Sequence, residues 1–513
     1  GDSAFVGNKL ESVEIPNSVE KIGSSAFNGN ELTSLKISNS VAKIRDSTFR
    51  ANKLTSVKIP NSVKEIDQWA FASNQLTSID MSDSVTKISK YAFRNNKLTA
   101  LDMSDSVTKI GKEAFYKNEL TSIEISGVVT EIGDRAFYKN ELTAIEIPNS
   151  VEKIGKEAFY NNQLTLVKIP NTITEIKDST FKGNQLTSVE IPNSVKEIDE
   201  WAFANNELAS IKMSDNITKI GSSAFRSNKL TSVKILDGVT EIGSGAFASN
   251  ELTSIELPNG ITEIKDDTFA SNKLTSVEIP IGVTKIAIGA FASNELTSVK
   301  IPDGVIEIEE MAFRSNKLTS VEIPNSVEKI GDNAFDNNQL TSLEIPNSVE
   351  KIGNDAFYNN QLTSVDIPNS VEKINERAFA RNGIESIKIP DSVTEIGQQA
   401  FFRNELTSLK ISNNIVEIKN RAFAHNKLSL IEIPNSIETI GGRAFAFNGI
   451  DEISIPANVS LPLYHGDDLI GPIESAEHGL IPIGGDEFKT YYNKKDKQAG
   501  VYILDNSGWS MKN

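Results

Sequence analysis

A chain of 513 residues with 52 basic and 69 acidic side chains carries a net charge of −17, which argues against a nucleic-acid partner, because affinity for phosphates comes largely from Lys and Arg displacing counterions. No apolar run approaches the ~18 residues needed to cross a bilayer, so direct membrane insertion is not expected either. The absence of cysteine excludes disulfides, thiolate metal sites and thiol nucleophiles together.

The chain opens in mid-pattern with "GDSAF", without a start methionine or signal peptide, as expected of a fragment whose N-terminal part is missing. From there a strict period runs. Phe5 is followed by a Phe every 22 residues as far as Phe445, giving 21 units without an insertion or deletion. Aligned on Phe, the unit reads L-T-S-V-x-I-P-N-S-V-x-x-I-G-x-x-A-F-x-x-N-x, with residues 186–207 as a clean copy. Val189 and Ile191 flank Glu190 in the alternation of a strand with one buried face, and Pro192 removes a ladder donor where pairing should stop. Ile198, Ala202 and Phe203 continue the inward set after a turn, in a stretch too short for more than a turn or two of helix.

One such unit cannot bury its apolar side alone, so neighbours must stack, strand on strand in a parallel sheet and Phe on Phe as an internal column. At ~4.8 Å per stacked strand, about twenty coils give a curved rod on the order of 100 Å long. Three residues past each Phe stands an Asn, from Asn8 to Asn448. A buried column of Asn would satisfy backbone groups at a bend that no neighbouring strand reaches.

The motif L-x-x-V-x-I-P-x-x-V-x-x-I-G-x-x-A-F-x-x-N resembles the BspA-type leucine-rich repeats of bacterial and protist surface proteins, over residues 4–459. The unit here is one residue shorter than is usual in that family, and Asn stands where the family often has Cys. The resemblance implies a right-handed repeat solenoid with a parallel sheet of about twenty short strands, mostly β and turns with short helical segments. It also implies an extracellular or cell-surface location and attachment to a host protein, a matrix protein or another cell-surface component.

The repeat pattern ends at Val459, which makes residues 1–459 one solenoid domain and residues 460–513 something else. Within the latter, "FKTYYNKKDKQAGVYILDNSGW" alternates aromatic and polar residues about a polar turn, a hairpin signal that suits a cap over the last coil's open edge.

Two surface features could bind a partner. The strand position between the inward residues is charged in 20 of 21 units, Ser454 being the exception, and the run Asp80, Asp102, Glu124 and Glu146 puts four carboxylates in adjacent strands with Asp83 and Asp105 close by. Like charges directly opposite are destabilising, so the run points to a cation or basic partner, although exposed charges are screened within ~8–10 Å. Tyr116, Tyr138 and Tyr160 recur one residue after Phe in successive units and should form a short exposed ladder suited to protein or sugar contacts; Trp69 and Tyr91 lie nearby. Repeat duplication alone also produces such rows: Trp69 and Trp201, like the two "DSTF" stretches at 46 and 178, are six units apart.

Signals for catalysis are thin. His465 in "YHGDD" and His478 in "AEHG" stand near carboxylates but without ligand-motif spacing, and no nucleophile elbow or phosphate loop occurs, so neither an enzyme, a metal nor a cofactor is expected. The sequence leaves three readings: an adhesive protein-binding module using the charged sheet face, a structural spacer or assembly unit, and the noncatalytic arm of a larger enzyme.

Overall fold

Many of the 22-residue units contain two short strands where the sequence suggested one, although from Lys234 to Asp366 the first is reduced to a single bridging residue. In the unit carrying Phe203 these are Ser188–Glu190 and Glu197–Ile198. Val189 is buried between exposed Ser188 and Glu190, and Ile198 is buried beside exposed Glu197. Between the strands the chain turns at Pro192, whose carbonyl accepts a hydrogen bond from the Val195 N–H at 3.0 Å, and Val195 is fully buried. The second strand is a single two-residue step, Lys-Ile or Glu-Ile except for Thr439–Ile440, too brief for an alternating pattern to register in the sequence.

The computed structural model describes residues 1–457, 459–461, 495, 497–505 and 508–512. The chain divides into two compact units, Gly1–Leu252 and Thr253–Asn513, each a β-solenoid built from the same coil. All strand pairing between coils is parallel and in register, as in Ser188↔Ser210, Val189↔Ile211 and Glu190↔Lys212. In the first unit the second strands form a six-stranded sheet from Lys43–Ile44 to Lys153–Ile154 and a four-stranded sheet from Glu175–Ile176 to Glu241–Ile242. In the second unit nine of them form one sheet, from Glu263–Ile264 to Thr439–Ile440. The first strands pair less continuously, mostly as two-stranded ladders.

No helix occurs among the described residues, which corrects the expectation of short helical segments. The reason lies in two residues per coil with positive φ, four apart, on either side of the Ala-Phe step: Trp201 at 58° and Asn205 at 55° are one such pair. A left-handed residue every fourth position breaks the run of right-handed residues that a helix needs. The N–H groups in this turn bond to the following coil instead, Trp201 to the Ser222 carbonyl (2.9 Å), Phe203 to Ala224 (2.8 Å) and Asn205 to Arg226 (2.9 Å). On the other side of the coil donors point to the preceding one, as with Lys196 to Thr174 (2.9 Å) and Asp199 to Ile176 (2.8 Å).

The core is a column of Phe rings. In the first unit Phe49 to Phe247 are wholly buried, and successive rings such as Phe203 and Phe225 stack at 5.4 Å and 2°. In the second unit Phe335 and Phe357 stack at 5.5 Å and 1°. Beside the rings runs the Asn column, buried from Asn30 onward except at Asn382. Asn118 donates through Nδ2 to the carbonyls of Phe93 (3.0 Å) and Phe115 (3.1 Å), and its Oδ1 accepts from the Leu98 N–H at 3.2 Å. Asn316 repeats the arrangement in the second unit with Phe291, Phe313 and Leu296.

At the C-terminal side, Gly500–Asp505 pairs antiparallel with the last repeat strand, Glu452–Ile455, and with Gly508–Met511. Residues 488–492, the first arm of the hairpin expected from the sequence, lie outside the described residues. Tyr502 is wholly buried and donates its hydroxyl to the Gln498 carbonyl at 2.7 Å.

Candidate ligand-binding surface

The charged position of the first strand is exposed in all 20 units that carry a charge, because Ser and the charged residue flank an inward Val, Ile or Leu. Oppositely charged neighbours close directly across the ladder: Lys36 on Glu14 (2.6 Å), Lys58 on Asp80 (2.8 Å) and Lys212 on Glu190 (2.6 Å). These pairs stay well exposed, so solvent and salt screen them and they add little to stability. Of the four carboxylates singled out in the sequence, Asp80 is thus taken up by Lys58. Asp102, Glu124 and Glu146 make no ion pair among the described residues, and Asp83 and Asp105 sit exposed in the neighbouring turns.

The tyrosines are arranged differently from a free ladder. Tyr116 and Tyr138 stack at 5.0 Å and 13°, while Tyr138 and Tyr160 meet edge-on at 4.9 Å and 67°. Arg94 lies over Tyr116 at 4.4 Å and within reach of Trp69 and Tyr91, which stack on each other at 4.3 Å. Arg50 covers Trp69 at 4.6 Å, and Lys182 lies 3.8 Å from the Trp201 ring. The rings are half-buried, and most of their faces are occupied by one another or by cations, so they present edges to solvent. Burial, with the neighbouring Tyr160 and Tyr116, pushes the Tyr138 phenol above its ordinary range.

Under this row lies an ion-pair chain that sequence reading did not find. Glu113, 5% exposed, is bound by Arg94 and approached by Arg135 at 3.8 Å, and Arg135 also reaches Glu157 at 2.8 Å. Glu113, Arg135 and Glu157 occupy the positive-φ position two before Phe in consecutive coils, so the 22-residue spacing was the available signal.

Glu175, Glu197 and Asp199 bring carboxylate oxygens within 4.8 Å of one another, close enough in principle for a cation. Burial and a hydrogen bond to Glu175 raise the Asp199 carboxyl above the usual range. His425 stacks on Phe447 at 4.2 Å and meets Phe402 edge-on. His465 and His478 lie outside the described residues.

The 22-residue coil, with its Phe and Asn columns and two parallel strands, coincides with a sequence match to the BspA type leucine rich repeat region in six overlapping copies spanning residues 1–462. The chain belongs to this family. Among solved structures, the BspA-type chain is similar to YopM from Yersinia enterocolitica, at 19% identity over 80% of this chain and 89% of YopM, with a TM-score of 0.45. It is also similar to a leucine-rich repeat protein from Bacteroides ovatus, at 24% identity over 65% of this chain and 78% of that one, with a TM-score of 0.38. A third is a leucine rich cell surface protein from Faecalibacterium prausnitzii, at 28% identity over 64% and 78%, with a TM-score of 0.29. No curated protein sequence matches the chain.

Proposed function

We propose that this BspA-type array is a noncatalytic protein-binding module of a bacterial cell surface, and that its first-strand face is where a host, matrix or cell-surface protein docks. The observation that carries this reading is the contrast between columns. Inward positions hardly vary from coil to coil, while the outward strand position remains charged in 20 of 21 coils and switches sign repeatedly. Solubility alone would tolerate uncharged polar residues there. Asp102 and Glu124, exposed and without an ion-pair partner among the described residues, are the preferred contact for a basic partner. The tyrosine row is secondary, because its ring faces are already occupied. The family resemblance supports the surface location. The strand Gly500–Asp505 is proposed to close the array by covering the edge of Glu452–Ile455.

The test is to isolate a partner by pull-down from host matrix or cell-wall material, then to compare Asp102→Lys, Glu124→Lys and Tyr138→Ser for affinity and its salt dependence. The charge reversals should weaken binding and flatten its salt response. If both bind like the unmodified chain while Tyr138→Ser abolishes binding, the docking face is the aromatic row.

A further inference from the structure

The turn that carries Phe forms a different kind of surface in the coils of Phe423 and Phe445. A cavity of about 180 Å³ opens there, and its lining contains no carboxylate, in a chain of net charge −17. Its cations are Arg421, exposed, and Arg443, half-buried, each two residues before Phe in consecutive coils. Its rings are Phe402, His425 and Phe447, all half-buried. His425 stacks on Phe447 at 4.2 Å and 18°, and Phe402 meets His425 edge-on at 5.1 Å, so the three make one aromatic wall. The position one after Phe, held by Arg94, Tyr116 and Lys182 in other coils, is taken here by the small and buried Ala424 and Ala446, which leaves the space open.

The arginines supply a second, independent indication. Four coils carry Arg at the positive-φ position two before Phe: Arg135, Arg377, Arg421 and Arg443. Arg135 is held by Glu157 at 2.8 Å and Arg377 by Asp355 at 2.9 Å, in each case a carboxylate at the same position of an adjacent coil. Around Arg421 that position holds Gln399 on one side and Arg443 on the other, and Arg421 makes no ion pair among the described residues. Two guanidiniums one coil apart, about 4.8 Å along the stack, repel each other. An oxyanion between them would take the place that Glu157 and Asp355 fill elsewhere.

We infer that this cavity binds an aromatic carboxylate, with the acid group against Arg421 and Arg443 and the ring against His425 and Phe447. Arginine presents a planar fork of donors that matches a carboxylate, and the lining offers neither lysine nor hydroxyl for the third oxygen of a phosphate or sulfate. Offset or edge-on packing against the aromatic wall favours a flat apolar ring over an aliphatic body. The volume lies below the ~300 Å³ at which sites for drug-sized ligands begin, so one ring with its acid group fits and a longer ligand would project into solvent. A free arylacetic acid and the carboxyl end of a polypeptide finishing in Phe share this chemistry.

Isothermal titration of the whole chain with phenylacetate, phenylacetamide, cyclohexylacetate and phenyl phosphate tests the assignment. Phenylacetate should bind, the amide should not, and the other two should bind more weakly. Arg421→Gln should weaken binding of phenylacetate about tenfold, the loss of one charge-assisted hydrogen bond. Ala424→Tyr fills the cavity with a side chain that other coils carry at this position, and should abolish binding while leaving the thermal unfolding profile unchanged. Arg381→Gln removes an exposed arginine on another ring, 5.7 Å from that of Tyr358, and should bind normally. A tetrapeptide ending in Phe that binds more tightly than phenylacetate assigns the ligand to a chain end, and weaker binding assigns it to a free acid; either result upholds the site. Unchanged binding in Arg421→Gln or Ala424→Tyr, equal loss in Arg381→Gln, or binding of the amide, cyclohexylacetate or phenyl phosphate as tight as that of phenylacetate would each overturn the proposal.

Discussion

Replacing Asn118 by Ala probes the polar column most directly, and its cost can be worked bond by bond. The Phe93 carbonyl also accepts from Asn96 at 3.0 Å, and the Phe115 carbonyl from Asn140 at 2.9 Å, so each keeps one donor when the Asn118 amide is removed. The Leu98 N–H does not, since its acceptor is the Asn118 Oδ1 and Leu98 is fully buried. One orphaned N–H costs about 1–3 kcal/mol, and the two shared carbonyls lose roughly 0.5–1.5 kcal/mol each at the upper end. The expected loss is on the order of 2–5 kcal/mol, confined to the coils around residues 93–118. A repeat array does not unfold in a single two-state step, so native-state hydrogen exchange is the suitable assay. The Leu98 amide should exchange much faster, its equivalents several coils away at their former rates. An Asn118→Ala chain with Leu98 still protected, or with protection lost evenly along the first unit, would show that the Asn column does not carry these backbone groups. Asn118→Asp keeps the acceptor but turns a carboxylate toward two carbonyls, and should be worse at neutral pH than in acid.

Phe225→Ala should cost about 3–5 kcal/mol, because Phe225 is fully buried and stacked on both Phe203 and Phe247; exchange should rise first in those adjacent coils. Asp199 gives a pH test of definite sign. Its folded-state carboxyl is raised above the ordinary value of 3.8 by burial and by Glu175, so the folded chain holds the proton more tightly than the unfolded chain, and this stabilisation is fully present below the unfolded value and fades as pH rises through the folded one. Asp199→Asn should therefore raise stability at neutral pH and lose that advantage in acid, as read from thermal melts at a series of pH values.

The period, the inward set and the Asn column were legible in the sequence because each recurs at one fixed position with one residue type. The second strand was not, since a two-residue step such as Glu197–Ile198 lacks the length for a period of two. The absence of helix was hidden for another reason: the left-handed positions are occupied by Trp, Tyr, Glu, Arg and Ser as readily as by Gly, so no turn residue announces them. For the candidate surface, exposure of the strand column followed from alternation, as at Glu190. The capture of Asp80 by Lys58 depends on rotamers, and the Glu113–Arg135–Glu157 chain crosses coils at a position where each residue alone looks like surface.

The opposed hydrogen-bond directions on the two sides of each coil make every coil an adaptor with the same plug at one end and the same socket at the other. Any whole number of coils lifted from one place meets the same complementary donors and acceptors wherever it is inserted, whereas a reversed block, or one cut out of phase, would not seat. Copying errors in the gene are thereby sorted by phase: in-phase duplications yield a longer folded protein, and out-of-phase ones yield broken ladders. The six-coil spacing between Trp69 and Trp201 is what such a filter leaves behind. Length in this chain is thus free to drift in steps of 22 residues while the fold stays constant.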